Sequence, residues 1–159
     1  MSTKKLIVIF ILIFLLFNLT GCIGQNLTDE DLIENLIDTW VEGYQEKDLD
    51  KYVGVYSPSL IVEEQDGAEN TLETYDYVEK YSRLKDIFDA DTSISAVTNA
   101  VNVVVSGLVA TATFFVDYET TSTIDDIEST EKWSEYVVWT ADKGFGFWSV
   151  NYEIFQILP

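Results

Sequence analysis

The side chains with which this chain could do chemistry are carboxylates and tyrosines. Its 159 residues include no histidine and a single cysteine, Cys22. A Ser-His-Asp or Cys-His nucleophile therefore cannot form, and neither can a zinc site built from the usual histidine and cysteine ligands. Any acid–base chemistry must use Asp, Glu, Tyr or Lys, and we predict neither a metal nor a cofactor.

Two carboxylates, Glu135 and Glu153, occupy strand positions from which they could reach an internal cavity. Strand alternation puts Glu135 in phase with Trp133, and Glu153 in phase with Phe147. A carboxyl group inside an aromatic cavity has a raised pKa and can act as an acid or a base, here with Tyr118 as a partner. The alternative is that both carboxylates lie in water at the edges of the sheet, where ionised groups usually are.

Large aromatic side chains supply the material for a ligand pocket. Apolar walls with a few hydroxyl groups suit a small amphipathic molecule. The alternative is an ordinary filled core, since aromatic residues are mostly buried for packing alone. The residues expected to line the pocket are Trp40, Tyr44, Tyr81, Phe114, Tyr118, Trp148 and Tyr152.

The elements that must position these residues begin with a long helix. Apolar residues recur every four positions from residue 32 to residue 44, which predicts a helix over 29–47. Thr28, followed three residues later by Asp31, has the pattern of a capping box at its start.

Two further helices and one strand are expected before residue 90. The second helix begins at Asp48, the strand begins at Leu60, and Thr74 caps a third helix that ends near Phe88.

The second half of the chain alternates with a period of two and is rich in β-branched residues, which predicts four long antiparallel strands. Their expected spans are 95–105, 108–120, 132–140 and 145–158, with an acidic loop at 121–131. The predicted class is α+β, with a curved antiparallel sheet packed on three N-terminal helices.

This order of elements resembles the superfamily of nuclear transport factor two, ketosteroid isomerase, limonene epoxide hydrolase and the SnoaL-like polyketide cyclases. The similar stretches are 40–44, 48–52, 56–58 and 147–154, and the resemblance covers nearly all of residues 27–158. It implies a cone-shaped half-barrel with a pocket between sheet and helices, often dimeric through the sheet. Function varies widely on this fold, so activity must be argued from the site itself.

The N-terminal segment has the features of a secretory signal. Two lysines precede twelve apolar residues, 6–17, and the segment ends in Leu19-Thr20-Gly21-Cys22. These four residues resemble the lipobox of prokaryotic lipoproteins, in which a lipid is attached to the cysteine sulfur and the chain is cut just before it.

Three segments follow from this prediction: a lipoprotein signal peptide (1–21), a tether (22–26) and the cone-fold domain (27–159). Two acyl chains on Cys22 would hold the domain at the extracytoplasmic face of the cell membrane, since one chain alone binds only marginally. The alternatives are an uncleaved membrane anchor and a free thiol. Asn26 begins an Asn-Leu-Thr sequence that fits the N-glycosylation pattern.

The charge of the predicted mature chain excludes one class of partner. Removing residues 1–21 takes away Lys4 and Lys5 and leaves seven basic and 28 acidic residues, a net charge of −21. Such a surface repels phosphate backbones, so nucleic-acid binding is excluded. It also repels anionic lipid head groups, so we expect membrane contact through Cys22 alone.

We therefore expect a lipid-anchored domain that binds a small apolar or amphipathic ligand or a surface protein partner, rather than an enzyme. One alternative is a metal-independent isomerase, dehydratase or cyclase that uses a cavity carboxylate and a tyrosine. It requires a buried acid beside a tyrosine hydroxyl in a cavity open to solvent. Another is a structural domain that forms a homodimer through the sheet, which requires an exposed apolar sheet face.

Overall fold

Three helices pack against a curved six-stranded sheet in the computed structural model, which describes residues 27–89, 92–124 and 127–158. The helices are α1 (Asp29–Glu46), α2 (Leu49–Val53) and α3 (Tyr77–Asp89). The strands are β1 (Tyr56–Gln65), β2 (Thr71–Asp76), β3 (Thr92–Ser106), β4 (Val109–Ile124), β5 (Ile127–Gly144) and β6 (Phe147–Ile157). The α+β class is confirmed. The predicted signal peptide, Cys22 and Asn26 lie outside the described residues.

Helix α1 begins at the predicted capping box. The Thr28 amide donates to the Asp31 carboxylate (2.7 Å), and the Asp31 amide donates to the Thr28 hydroxyl (3.1 Å). These bonds satisfy amides that the start of a helix leaves unpaired. The buried residues of α1 are Ile33, Ile37, Trp40, Gly43 and Tyr44. In the described part of the chain, no helix is long and apolar enough to cross a membrane.

The sheet is mixed, whereas the sequence pattern predicted an antiparallel one. Its strand order is β2-β1-β6-β5-β4-β3, and β1 runs parallel to β6 while the other neighbours are antiparallel. The prediction of an acidic loop over 121–131 is wrong for most of that range, because β4 continues to Ile124 and β5 begins at Ile127. The Thr121 and Thr130 hydroxyls bond across this extended hairpin at 3.1 Å.

The last residues of strand β2, 74–76, are ones that the sequence pattern assigned to the start of a helix. Thr74 does not cap α3, because residues 71–76 pair with β1 in an antiparallel hairpin. The Asp66 carboxylate holds the turn by accepting from the amides of Ala68 and Asn70 (both 2.9 Å). Asp76 caps α3 instead, and its carboxylate accepts from the Glu79 amide at 3.0 Å.

Strand β6 contains a bulge that changes which side chains face the helices. The register with β5 shifts between Thr140 and Ala141, so that Asn151 is an extra residue on β6. Trp148 and Val150 are buried before the bulge, and Glu153 is buried after it. An added residue of this kind reverses strand alternation, which explains why Phe147 is exposed instead of sharing a face with Glu153.

The outer face of the sheet exposes the apolar side chains of Val97, Val104 and Phe115. Pairing of two chains through this face stays a prediction.

Gly43 allows α1 and α2 to approach closely. A Cβ atom at Gly43 would lie 2.6 Å from the Tyr52 amide nitrogen and 2.8 Å from its Cα. We expect Gly43→Ala to lower the free energy of unfolding by about 1–3 kcal/mol, because backbone atoms must move to accept the methyl group. Urea denaturation measures the difference.

Gly67→Ala is the matched control, because a Cβ atom there meets nothing within 4 Å. Equal stabilities of the two variants would contradict the close approach of α1 and α2.

Candidate functional site

A solvent-open cavity lies between the sheet and helices α1, α2 and α3. Its volume is about 220 Å³, which is below the roughly 300–1,000 Å³ of drug-sized ligand pockets and suits a smaller molecule. Its aromatic lining consists of Trp40, Tyr44, Tyr52, Tyr75, Tyr118, Trp133 and Phe155. Its charged lining consists of Glu64, Lys80, Arg83, Glu135 and Glu153.

Glu153 and Lys80 form a buried ion pair in the wall of this cavity. The Lys80 ammonium lies 2.5 Å from Glu153 Oε2, and the residues are 6% and 1% exposed. The Tyr56 hydroxyl donates to Glu153 Oε1 at 3.2 Å. The Lys80 nitrogen also lies 4.9 Å from the centre of the Tyr56 ring, within the range of a cation–π contact. The carboxylate therefore has donors on both oxygens.

Lys80 was missed by the sequence analysis. Lys80 lies one turn before Leu84 on α3, and these two are the buried residues of that helix. Lys80 therefore lies on the buried face of α3, where its ammonium contacts Glu153. A lysine in a charged helix is usually exposed, so its residue type argued against burial. The spacing of four residues between Lys80 and Leu84 is the one signal in the sequence that could have placed Lys80 on the buried face of the helix.

Glu135 lies on the inner face of β5 and is half-buried. Its Oε1 accepts from the Trp133 indole N–H at 3.0 Å, and the Tyr118 hydroxyl is within hydrogen-bonding reach. Burial raises the pKa of the Glu135 carboxyl, and the negative charge of Glu153 adds to this effect. The Trp133 hydrogen bond and the positive charge of Lys80 oppose it. The site thus contains one carboxylate paired with a cation and another held by neutral donors.

The tyrosines around these carboxylates keep their hydroxyl protons at neutral pH. Burial raises the pKa of Tyr44 to about 12, and the charge of Glu135 contributes to this shift. Burial also raises the pKa values of Tyr52, Tyr56 and Tyr118 well above the ordinary value of 10.0. The cavity wall therefore supplies hydrogen-bond donors.

Arg83 also lines the cavity and is bound by two carboxylates. Its Nη2 lies 2.7 Å from Glu73 and 2.6 Å from Glu79, and its guanidinium lies 4.2 Å from the centre of the Tyr75 ring. Within residues 27–89, 92–124 and 127–158, no cluster of three or more His, Cys, Asp or Glu side chains could hold a metal ion.

Five of the residues singled out from the sequence line this cavity, and four do not. Those that line it are Trp40, Tyr44, Tyr118, Glu135 and Glu153. Phe114 is fully buried and packs edge-on against Trp40 and Trp139. Trp148 donates to Asp29 at 3.0 Å at the start of α1. Tyr152 bonds to Glu63, and Tyr81 is exposed on α3.

Comparison with known proteins identifies the fold. No protein-family model matches the chain, and no curated protein matches it. Among solved structures, a conserved protein from Planctomyces limnophilus superposes with a TM-score of 0.70 at 12% identity, covering 82% of this chain and 97% of that one. An NTF2-like protein of unknown function from Pseudomonas putida has a TM-score of 0.63 at 15% identity, covering 80% and 84%.

A candidate scytalone dehydratase from Novosphingobium aromaticivorans has a TM-score of 0.66 at 13% identity, covering 84% of this chain and 87% of that one. At these identities the likeness shows the fold and not the activity. The fold is that of NTF2-like proteins, and the resemblance inferred from the sequence is confirmed at that level.

The buried ion pair yields a stability test. Lys80→Met leaves Glu153 buried without its cation, and we expect the free energy of unfolding to fall by about 3–5 kcal/mol. The double variant Lys80→Met/Glu153→Leu removes both charges and is expected to recover most of this loss, because replacing a buried pair by apolar side chains is often neutral. Urea denaturation at pH 7 measures both.

Lys85→Met is the matched control, since Lys85 lies on the same helix in an exposed pair with Asp89. Its cost is expected to be below about 1 kcal/mol. A Lys80→Met variant as stable as Lys85→Met would refute the structural role of the buried pair.

Proposed function

We propose that the cavity binds a small amphipathic molecule and that Glu135 transfers a proton on it, the chemistry of an isomerase or dehydratase. The observation that carries this proposal is a carboxylate with a raised pKa beside the Tyr118 hydroxyl in a cavity open to solvent. The sequence analysis required an acid beside a tyrosine hydroxyl in a solvent-open cavity for an isomerase, dehydratase or cyclase, and this arrangement has those parts. It therefore supports catalysis over the binding-only role expected from the sequence.

Glu135 suits proton transfer better than Glu153. Both oxygens of Glu153 are engaged, one by the Lys80 ammonium and the other by the Tyr56 hydroxyl, and these contacts keep the carboxylate in place. The described partners of Glu135 are the neutral donors Trp133 and Tyr118, so its proton can leave and return without breaking an ion pair. A general base works best when its pKa lies close to the working pH, and burial moves Glu135 in that direction.

Tyr118 and Tyr44 are placed to bind a polar atom of the substrate. Both line the cavity, and their rings are 5.3 Å apart. Because both hydroxyls stay protonated, Tyr44 can donate to an oxygen that gains negative charge when a proton is removed from the neighbouring carbon, and Tyr118 can do so when its O–H turns from Glu135 to that oxygen. Candidate dehydratases from Streptomyces avermitilis and Novosphingobium aromaticivorans share the fold, which supports this class of reaction.

The proposal predicts exchange of the protons next to a carbonyl group. With 1-indanone and 1-tetralone as probes in D₂O, we expect the full-length protein to catalyse deuterium incorporation, followed by proton NMR. Glu135→Gln should lower the rate by about 100-fold or more, because it removes the base. The wild-type rate should rise with pH through a midpoint above 4.5, the ordinary value for glutamate, since the base must be ionised and burial raises its pKa.

Glu119→Gln is the matched control, because Glu119 lies on the same sheet but is exposed and pairs with Lys132. It should leave the rate unchanged. Native mass spectrometry of both variants reports bound ketone separately. A ketone that binds but exchanges no faster with wild type than with Glu135→Gln would overturn the catalytic part and leave a binding function.

We also propose that the domain is held at the extracytoplasmic face of the cell membrane through lipid on Cys22. The twelve-residue apolar segment and the Leu19-Thr20-Gly21-Cys22 sequence after it support this anchorage. For Cys22→Ser, we expect release of an intact folded domain or accumulation of the unprocessed precursor. Fractionation of cells and the mass of the product distinguish the outcomes. Membrane retention of a cleaved, mature-sized Cys22→Ser product would contradict lipidation.

A further inference from the structure

Two turns at one end of the sheet expose large apolar side chains. The β3–β4 turn and the β5–β6 turn are adjacent, and the Lys143 amide donates to the Leu108 carbonyl at 2.9 Å. Leu108 is 66% exposed, Phe147 is 63% exposed, and Phe145 is fully exposed. We call Leu108, Phe145 and Phe147 the apolar tip.

The fold does not require a phenylalanine in the turn between β5 and β6. Phe145 and Gly146 have positive φ angles of 50° and 93°, as in the tight turns that favour Asn-Gly or Asp-Gly. A bulky residue is uncommon in this backbone conformation. Because the Phe145 ring makes no contribution to the core, the residue type points to a role outside the domain.

The strands that lead to the apolar tip carry few charges, although the chain has 28 acidic residues. Residues 92–116 contain no charged side chain, and the charged residues in 140–152 are Asp142 and Lys143. Residues 117–124 and 127–131, which lie toward the far end of β4 and β5, contain four acidic residues. The two strands are therefore polarised, with more acidic residues at the end away from the apolar tip.

The start of α1 lies beside the apolar tip. The Asp29 carboxylate accepts from the Trp148 indole N–H at 3.0 Å and pairs with Lys143. Asp29 is seven residue steps after Cys22, and a fully extended chain of seven steps spans at most about 25 Å. An anchor at Cys22 would therefore hold the apolar tip close to the bilayer.

We propose that the apolar tip inserts into the boundary between head groups and acyl chains of the bilayer that holds the N-terminal segment. This inference rests on the proposed anchorage, and it adds a second membrane contact where the charge of the chain predicted contact through Cys22 alone. Aromatic and leucine side chains favour this boundary, and their burial there adds to the binding of a lipid anchor. Glu30 and Asp31 lie in the same first turn of α1. Since these acids repel anionic lipids, the surface fits a zwitterionic lipid best.

The test places a fluorescent reporter at the tip of the full-length chain. Phe145→Trp and Leu72→Trp are each reconstituted in phosphatidylcholine vesicles whose acyl chains carry bromine, a short-range quencher of tryptophan emission. Leu72 is the matched control because it is 62% exposed and lies on β2, at the opposite end of the sheet. Wild-type protein supplies the emission of the four native tryptophans.

We expect the emission added by Phe145→Trp to be mostly lost in brominated vesicles, and that added by Leu72→Trp to persist. Flotation of the vesicles reports anchorage separately. If the protein floats but Phe145→Trp is not quenched, the tip lies in water, the insertion is refuted, and a protein surface becomes its partner. Equal quenching of both variants would also refute it. A chain that does not float overturns the anchorage itself, and the insertion with it.

Discussion

The arrangement of the cavity depends on the ion pair between Lys80 and Glu153. Removing both charges from water is costly, and the pair is tolerated because the Tyr56 hydroxyl satisfies the second carboxylate oxygen. The contact joins α3 to β6, which are 73 residues apart in the chain. It therefore fixes where the helix lies over the sheet. It also prevents Glu153 from acting as a second uncompensated anion next to Glu135.

The two carboxylates share one cavity and have different environments. Glu153 is fully buried against a cation, while Glu135 is half-buried among neutral donors and has a raised pKa. Sites that divide acid–base work use this kind of contrast, because the protonation states of two similar groups must differ. Lys80 links them, since its charge also acts on Glu135 and limits how far burial can raise its pKa.

The sequence predicted the features whose partners lie close together in the chain better than those that depend on distant partners. The capping box of Thr28 and Asp31 was predicted because all its partners lie within four residues. The burial of Glu153 was left open, because its cation comes from a helix 73 residues earlier. Residues 74–76 were predicted to begin the third helix, and the pairing of residues 71–76 with β1 decides otherwise. The sequence predicted an aromatic cavity, but it wrongly placed Trp148 and Tyr152 in its lining. The residue pattern shows neither the bulge that changes the alternation on β6 nor the contact of Trp148 with Asp29.

The bulge at Asn151 has a consequence for how this chain is compared with its relatives. A gap-free alignment across residue 151 would match Glu153 to outward-facing positions in any protein whose last strand is regular. Equivalent residues in 152–157 must therefore be assigned by superposition. The same reasoning makes the position sensitive to single-residue insertions and deletions. Losing one residue there would preserve the strand while turning the Glu153 carboxylate from the cavity to solvent, away from Lys80.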